Sequence, residues 1–220
     1  MAASRMKDQA RREFDGWAHS YDRSILQRLL FEPSYNAFLQ WIHAWYSGET
    51  RRRRLLDIGC GTGTLAARVV GADLPFDVVG LDYSFSMCRQ GEGKAIQTGV
   101  DQRVRFVNAD SEHLPFSDGC FDVVTCSNSF HHYPHQEETV RQMRRVLAPG
   151  GRLMLIDGFR DNMIGWFVFD VCVGSAEKPV FHAPWSTVHQ YLERAGFARI
   201  MQHKIGILAP ILLTIGETEP

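Results

Sequence analysis

Three glycines at alternate positions, Gly59, Gly61 and Gly63, follow an apolar run in the stretch LLDIGCGTG, with Asp57 two residues ahead of the first. A loop this bare tolerates left-handed torsions and lets a ligand approach the main chain. At the carboxyl end of a strand turning into a helix, it stands where wound α/β sheets bind ligands. A nicotinamide dinucleotide site would want GxGxxG, with the pyrophosphate over a helix amino terminus. The spacing here is GxGxG, and Thr64 fills the position three beyond Gly61. Asp57 would repel a diphosphate and suits a cation. Two more acids end the next apolar runs, Asp82 in VVGLDYS and Asp110 in RFVNADSEHL. Asp82 has the place of the ribose-binding acid of dinucleotide sites, and Asp110 can accept from an adenine amino group. Acids at three successive strand ends fit a ligand with a ribose, a base and positive charge but no phosphate. S-adenosylmethionine, with its ammonium and sulfonium, meets that description.

The chemistry beyond the ligand points to His131 and His132, directly after the fourth apolar run in NSFHHYP. Imidazole titrates close to working pH, so either is a candidate base or acceptor-orienting group. The other reading, of equal weight, has the pair cap the strand end and shield the cofactor. Asp157, ending the fifth run, reads as a loop-capping acid before a pocket residue, and His182 in VFHAPW as a surface-loop histidine before a wall of the entrance. Cys60 reads as a small side chain filling a tight turn. Arg51 to Arg54 read as a solvated lead-in to the first strand, since the overall charge is near zero.

These groups need a scaffold of short strands. Apolar runs near Leu55 to Ile58, Val78 to Leu81, Val104 to Val107, Phe121 to Cys126 and Leu153 to Ile156 alternate with helical stretches near Leu65 to Val70, Ser84 to Gln97 and Gln136 to Leu147. Runs apolar on both faces and separated by helices indicate a parallel sheet covered on both sides. The third helix is stopped by Ala148-Pro149-Gly150-Gly151. Before the glycines, Tyr35, Phe38, Leu39, Ile42 and Trp45 follow helical spacing, with Pro33 acceptable in a first turn. Past the core, Val188 to Ala195 reads as a helix closed by Gly196, and strands near Arg199 to Ile205 and Ile211 to Ile215 are joined too closely for a parallel crossover, so they form an antiparallel pair. The greasy segment Met163 to Gly174 holds Asp170 and is too short for a membrane span, which makes it a cap or pocket element.

A chain of 220 residues with 45% apolar and 22% charged residues and a formal charge of -1 suits one globular domain, not a disordered or strongly basic nucleic-acid binder. The expected division is an N-terminal helical cap over 1–50, a cofactor-binding core over 51–158, a substrate lid over 159–185 and a C-terminal helix and hairpin over 186–220. Five cysteines without a CxxC pair argue against a disulfide framework or a zinc site and fit a reducing cytoplasm. The charged amino terminus lacks the apolar core of a secretory signal.

The stretches FDGWAHSYD, LLDIGCGTG, GLDYS, NADSEHLPF, FDVVTCSNSFHH and RRVLAPGGRLMLID, spread over Phe14 to Gly158, together resemble the class I S-adenosylmethionine-dependent methyltransferases, most nearly the ubiquinone and menaquinone biosynthesis branch. The resemblance implies a Rossmann-like three-layer α/β sandwich with a seven-stranded, mostly parallel sheet whose last strand is antiparallel. It implies that Asp57 and the loop glycines, with Cys60, hold the methionine moiety, Asp82 the ribose, and Asp110 with Ser111 the adenine. Ser127 would contact the methionine end, Tyr21 would close over it from the leader and partner the base, and Tyr83 and Met87 complete the cofactor-binding set. The expected reaction is methyl transfer to oxygen or carbon of a small, apolar or aromatic acceptor, with S-adenosylhomocysteine as the by-product. No metal, nucleic-acid partner or stable membrane insertion is expected, and the chain is a monomer or homodimer. A nicotinamide-dependent oxidoreductase, a non-catalytic cofactor-binding subunit and a macromolecule methyltransferase are the alternatives.

Overall fold

The computed structural model describes residues 12, 15, 25–46, 48, 50–158, 181–205 and 211–220. Side-chain alternation along the strands sets the layering, because successive residues of a strand face opposite sides of its sheet. In β1 (Arg53–Ile58), Leu55 packs into one apolar cluster with Phe38, Leu65 and Phe76, while Leu56 packs into another with Val140, Met143 and Leu192. Val123 and Val124 of β4 (Phe121–Ser127) divide in the same way, as do Met154 and Leu155 of β5 (Leu147–Gly158). Strands this apolar on both sides need helices over both faces. Helices α1 (Ile25–Tyr46) and α2 (Thr64–Gly71) cover the first face, α4 (Gln136–Val146) and α5 (Trp185–Arg194) the second.

With β2 (Phe76–Asp82), β3 (Val104–Asn108), β6 (Arg199–Ile205) and β7 (Ile211–Glu217) the sheet has seven strands in the order β3-β2-β1-β4-β5-β7-β6. The pairs from β3 across to β5 are parallel, and β7 runs antiparallel to both β5 and β6. Helix α3 (Phe85–Gln97) crosses from β2 to β3. The Rossmann-like sandwich, the antiparallel last strand and the closing hairpin are all as the sequence predicts. The order reverses between β1 and β4, so their carboxyl ends part and leave a crevice there, the usual ligand position in such sheets.

Two local features differ from the sequence reading. Pro33 lies inside α1 rather than in its first turn. A proline there removes one helical hydrogen bond, and the burial of Phe38, Ile42 and Tyr46 beyond it holds the helix on the sheet. The Ala-Pro-Gly-Gly stop ends α4 as expected, but the chain pairs with β4 at once, through Leu147 opposite Phe121, before the register resumes at Arg152 opposite Val123. Gly150 at φ +69° turns the chain, and a Cβ on Gly151 would press on the Ala148 carbonyl oxygen at 2.8 Å. The arginine lead-in is held by carboxylates: Arg52 on Asp77 and Arg53 on Asp122, both at 3.1 Å. Among the described residues no helix is long and apolar enough to cross a membrane. Tyr21 and the segment Met163 to Gly174 lie outside the described residues.

Candidate active site

The glycine loop is stapled to the neighbouring strand, since the N–H groups of Gly59 and Cys60 both donate to the Leu81 carbonyl oxygen, at 2.8 and 3.1 Å. Gly59, Gly61 and Gly63 all have φ between +53° and +70°. Their surroundings separate their roles. A Cβ on Gly59 would run into the side chains of Ser129 and Tyr133, and one on Gly63 into the Phe106 ring, so those two are bare for packing. A Cβ on Gly61 would meet nothing within 4 Å. That glycine faces open space, as a backbone meant for close approach by a ligand must.

The space is a cleft lined by Asp57, Gly59, Cys60, Gly61, Thr64 and Ser127, with Phe31 and Tyr35 of α1 over it. Asp57 is 2% exposed and accepts from the Thr125 hydroxyl at 2.8 Å. Burial pushes its carboxyl up to about 7, against the Thr125 bond, and the neighbouring Asp82 charge adds to the rise. Asp82 accepts from the N–H of Gly61 and of Ser84, both at 2.8 Å, which fixes one oxygen toward the loop and the other toward α3. Burial raises Asp82 to about 6 against those two donors, with Asp15 adding a small push. Asp15 enters because it accepts a 2.5 Å bond from the Ser84 hydroxyl. A buried carboxyl in the cleft, with a second part-buried one bonded to the Gly61 N–H at its edge, makes a site in which a cationic ligand is favoured.

The third acid, Asp110, accepts from the Glu112 N–H at 2.9 Å, beside the buried Ser111. Asn108 ties this end of β3 to β2 by donating to the carbonyl oxygens of Asp82 and Tyr83, at 2.9 and 3.0 Å. Met87 is buried, and its N–H is capped by the Ser84 hydroxyl. Cys60 bonds weakly to the Gly61 carbonyl oxygen, and burial pushes its thiol well up. The sequence offered no sign of Thr125 or Asn108, whose roles depend on which strands lie side by side.

His131 and His132 form a short 3₁₀ turn (Phe130–His132) beyond β4. His131 is 8% exposed; its Nδ1 lies 2.7 Å from Asp157 Oδ1 and its N–H donates to Asp157 Oδ2 at 2.9 Å. The β4–β5 register explains the meeting: Ser127 is opposite Ile156, so the next residue of β5 reaches the turn. Asp157 therefore caps the backbone of this turn, as read from the sequence, and is also a buried partner of the imidazole. Burial would raise its carboxyl, but the His131 imidazole, and behind it His182, hold it below the usual carboxylate range. The surface-loop reading of His182 fails, because that ring is 6% exposed and stacks on His131 at 4.6 Å. His132 is partly buried and packs on His131 at 4.1 Å.

A family model described as a methyltransferase domain matches residues 56–155. The ubiquinone/menaquinone biosynthesis C-methyltransferase UbiE of Stutzerimonas stutzeri is 35% identical over 188 residues, covering 74% of this chain and 73% of that one. The UbiE of Pseudomonas putida is 42% identical over 188 residues, with the same coverage. In fold, the chain is similar to a magnesium protoporphyrin IX methyltransferase from Synechocystis with bound S-adenosylhomocysteine (TM-score 0.75, 19% identity, 97% of this chain and 100% of that one). A putative S-adenosylmethionine-dependent methyltransferase from Methanococcus maripaludis gives 0.70 at 18% identity, covering 94% of each chain.

Proposed function

Since the chain belongs to the S-adenosylmethionine-dependent methyltransferases, in the family of the ubiquinone/menaquinone biosynthesis C-methyltransferases, we propose that its acceptor is a small hydroxylated aromatic of the hydroquinone type, methylated at a ring carbon. The observation that carries this reading is a buried imidazole, His131, four residues past the cleft-lining Ser127 and paired with a carboxylate. A ring carbon attacks an electrophile well only when an attached hydroxyl has been deprotonated, and a positioned base contributes about 10² to 10⁴ in rate to such a step. The printed name of the relatives, C-methyltransferase of quinone biosynthesis, supports the same acceptor class.

The residues fit the cofactor of the family. Asp57 with the Gly59 to Gly61 backbone would hold its cationic methionine end, Asp82 the ribose hydroxyls, and Asp110 with Ser111 the base. S-adenosylmethionine supplies a methyl group on a sulfonium, already a good leaving group. The protein's own task is alignment and dryness: orienting two reactants contributes about 7 to 11 kcal/mol. Phe31 and Tyr35 lie over the cofactor cleft, and the hydroxyl proton of the acceptor is removed at His131.

Purified protein given methyl-labelled S-adenosylmethionine and an alkylated hydroquinone should release a product that carries the label on a ring carbon, read by mass spectrometry after ether cleavage. A label lost on ether cleavage would make the enzyme an O-methyltransferase. Incorporation from cell extract into precipitated protein or RNA, with hydroquinones inert, would overturn the acceptor class.

A further inference from the structure

We propose that Asp157 and His182 are positioning residues that make His131, rather than His132, the base of this site, with Nε2 as the atom that takes the proton. The inference deepens the acceptor reading above and rests on it.

Asp157 receives three donors: the His131 N–H at 2.9 Å, the Gly158 N–H at 2.7 Å and the His131 ring at 2.7 Å. An ionised carboxylate only accepts, so the ring nitrogen facing it, Nδ1, must carry hydrogen. In the neutral imidazole the lone pair then lies on Nε2, and the tautomer is set by the strand end rather than by the acceptor. The two backbone donors fix the carboxylate itself, so it cannot swing away. His182 then restrains the plane of the ring, stacked at an interplanar angle of 30°. Its own segment is anchored on the same turn: the Phe181 N–H donates to the His131 carbonyl oxygen, and the Gln136 side chain donates to the carbonyl oxygens of Phe130 and Phe181, at 3.1 and 2.6 Å. His132 has more exposure and stands outside the carboxylate pair.

In the step assigned to this group, the O–H bond of the acceptor hydroxyl breaks and an N–H bond forms at Nε2. The electron pair stays on oxygen and spreads into the ring. The imidazolium so formed is stabilised by Asp157 and later returns its proton to water. The Asp157 oxygen that faces Nδ1 also accepts the Gly158 N–H, and the other accepts the His131 N–H. Replacing Asp157 by Ala removes the acceptor that holds hydrogen on Nδ1, so the hydrogen is free to move to Nε2, which takes the lone pair from the reacting side, and the imidazolium loses its carboxylate.

The test uses the full chain, ¹⁵N-labelled at histidine and saturated with S-adenosylhomocysteine. Ring-nitrogen NMR should show hydrogen on Nδ1 and none on Nε2 at His131, and Asp157→Ala should let hydrogen populate Nε2. With a hydroquinone acceptor, Asp157→Ala should lower kcat by about 10² to 10⁴ while KM changes less than about threefold. His182→Ala should lower kcat about tenfold, and calorimetric affinity for S-adenosylhomocysteine should stay within about threefold in both variants, which shows that they fold. Hydrogen on Nε2 in the unaltered protein overturns the proposal, as does a kcat loss in His132→Gln equal to that in His131→Gln. Because donor atoms of His131, Asp157 and His182 lie within 4.8 Å of one another, zinc is titrated into the same sample, and stoichiometric chelation that shifts both ring signals overturns it too. If no hydroquinone is methylated, the acceptor reading falls, and the ring-nitrogen measurement, which needs no acceptor, still decides the tautomer on which the proposal stands.

Discussion

Asp57 lines the cleft and Asp82 holds its glycine loop through the Gly61 N–H, with carboxyls raised to about 7 and about 6. Since both folded values exceed the ordinary carboxylate value of about 3.9, the ligand-free folded chain binds more protons than the unfolded chain between that value and about 7. Its stability from these two groups is therefore greatest below the unfolded value and declines as pH rises through the window. A cationic ligand reverses the preference, because it binds the ionised forms. Calorimetry should find S-adenosylmethionine bound about tenfold more tightly at pH 7.5 than at pH 5.5, with protons released to the buffer at the lower pH. Asp57→Asn should be weaker at both and keep only the smaller pH dependence that Asp82 supplies, and an unaltered protein with pH-independent affinity would contradict the account. These two acids were legible from sequence because their type and their place at strand ends speak for themselves. The pairing of Asp157 was not, since a carboxylate at a strand end looks the same whether it only caps a loop or also meets a histidine 26 residues away.

Among the elements, the short turn after β4 and the segment leading into α5 are joined through one side chain, Gln136, whose NH₂ bridges two carbonyl oxygens. Gln136 is 7% exposed, so Gln136→Leu leaves both acceptors buried without it, at a cost of about 1 to 3 kcal/mol. Thermal unfolding should register that loss. Amide exchange should quicken at Tyr133 and Phe181, while affinity for S-adenosylmethionine stays within about twofold, since the cofactor cleft borrows nothing from this bridge. Protection unchanged at Phe181 would show that the segment is held by other means. Strands were readable from the sequence as short runs apolar on both faces, helices by their 3.6-residue spacing and stop signals, and the hairpin from the brevity of its connection. The bridge was not, because a glutamine in the first turn of an amphipathic helix is ordinary surface chemistry until another segment crosses above it. The continuation of α1 through Pro33 was hidden for a similar reason: local propensity forbids it, and packing on the sheet overrides propensity.

Taken as one body, the molecule has two apolar cores separated by its sheet. The cofactor cleft borders the first, through Leu65 and Tyr35; the histidine turn roots in the second, through Phe130. Phe38 and Leu192 are each fully buried, one in each core. Truncating either to Ala should cost about 2 to 5 kcal/mol. The two losses should differ in what accompanies them: Phe38→Ala loosens α1 over the cleft and should weaken S-adenosylmethionine binding by fivefold or more, whereas Leu192→Ala should leave that affinity within about twofold. Equal effects on binding would mean that the sheet transmits strain between its faces. The doubly wound layout itself was foreseeable, since five both-sided apolar runs divided by helices admit little else; which helices cover which face was not, because it depends on where they dock.

The separation of the two cores has an evolutionary reading. On the proposed function, donor recognition and acceptor chemistry draw their support from opposite faces of the sheet, so substitutions in α4 and α5 would reshape the acceptor side and leave the donor side in place. A lineage built this way can try new acceptors one at a time, with its methyl source secure throughout.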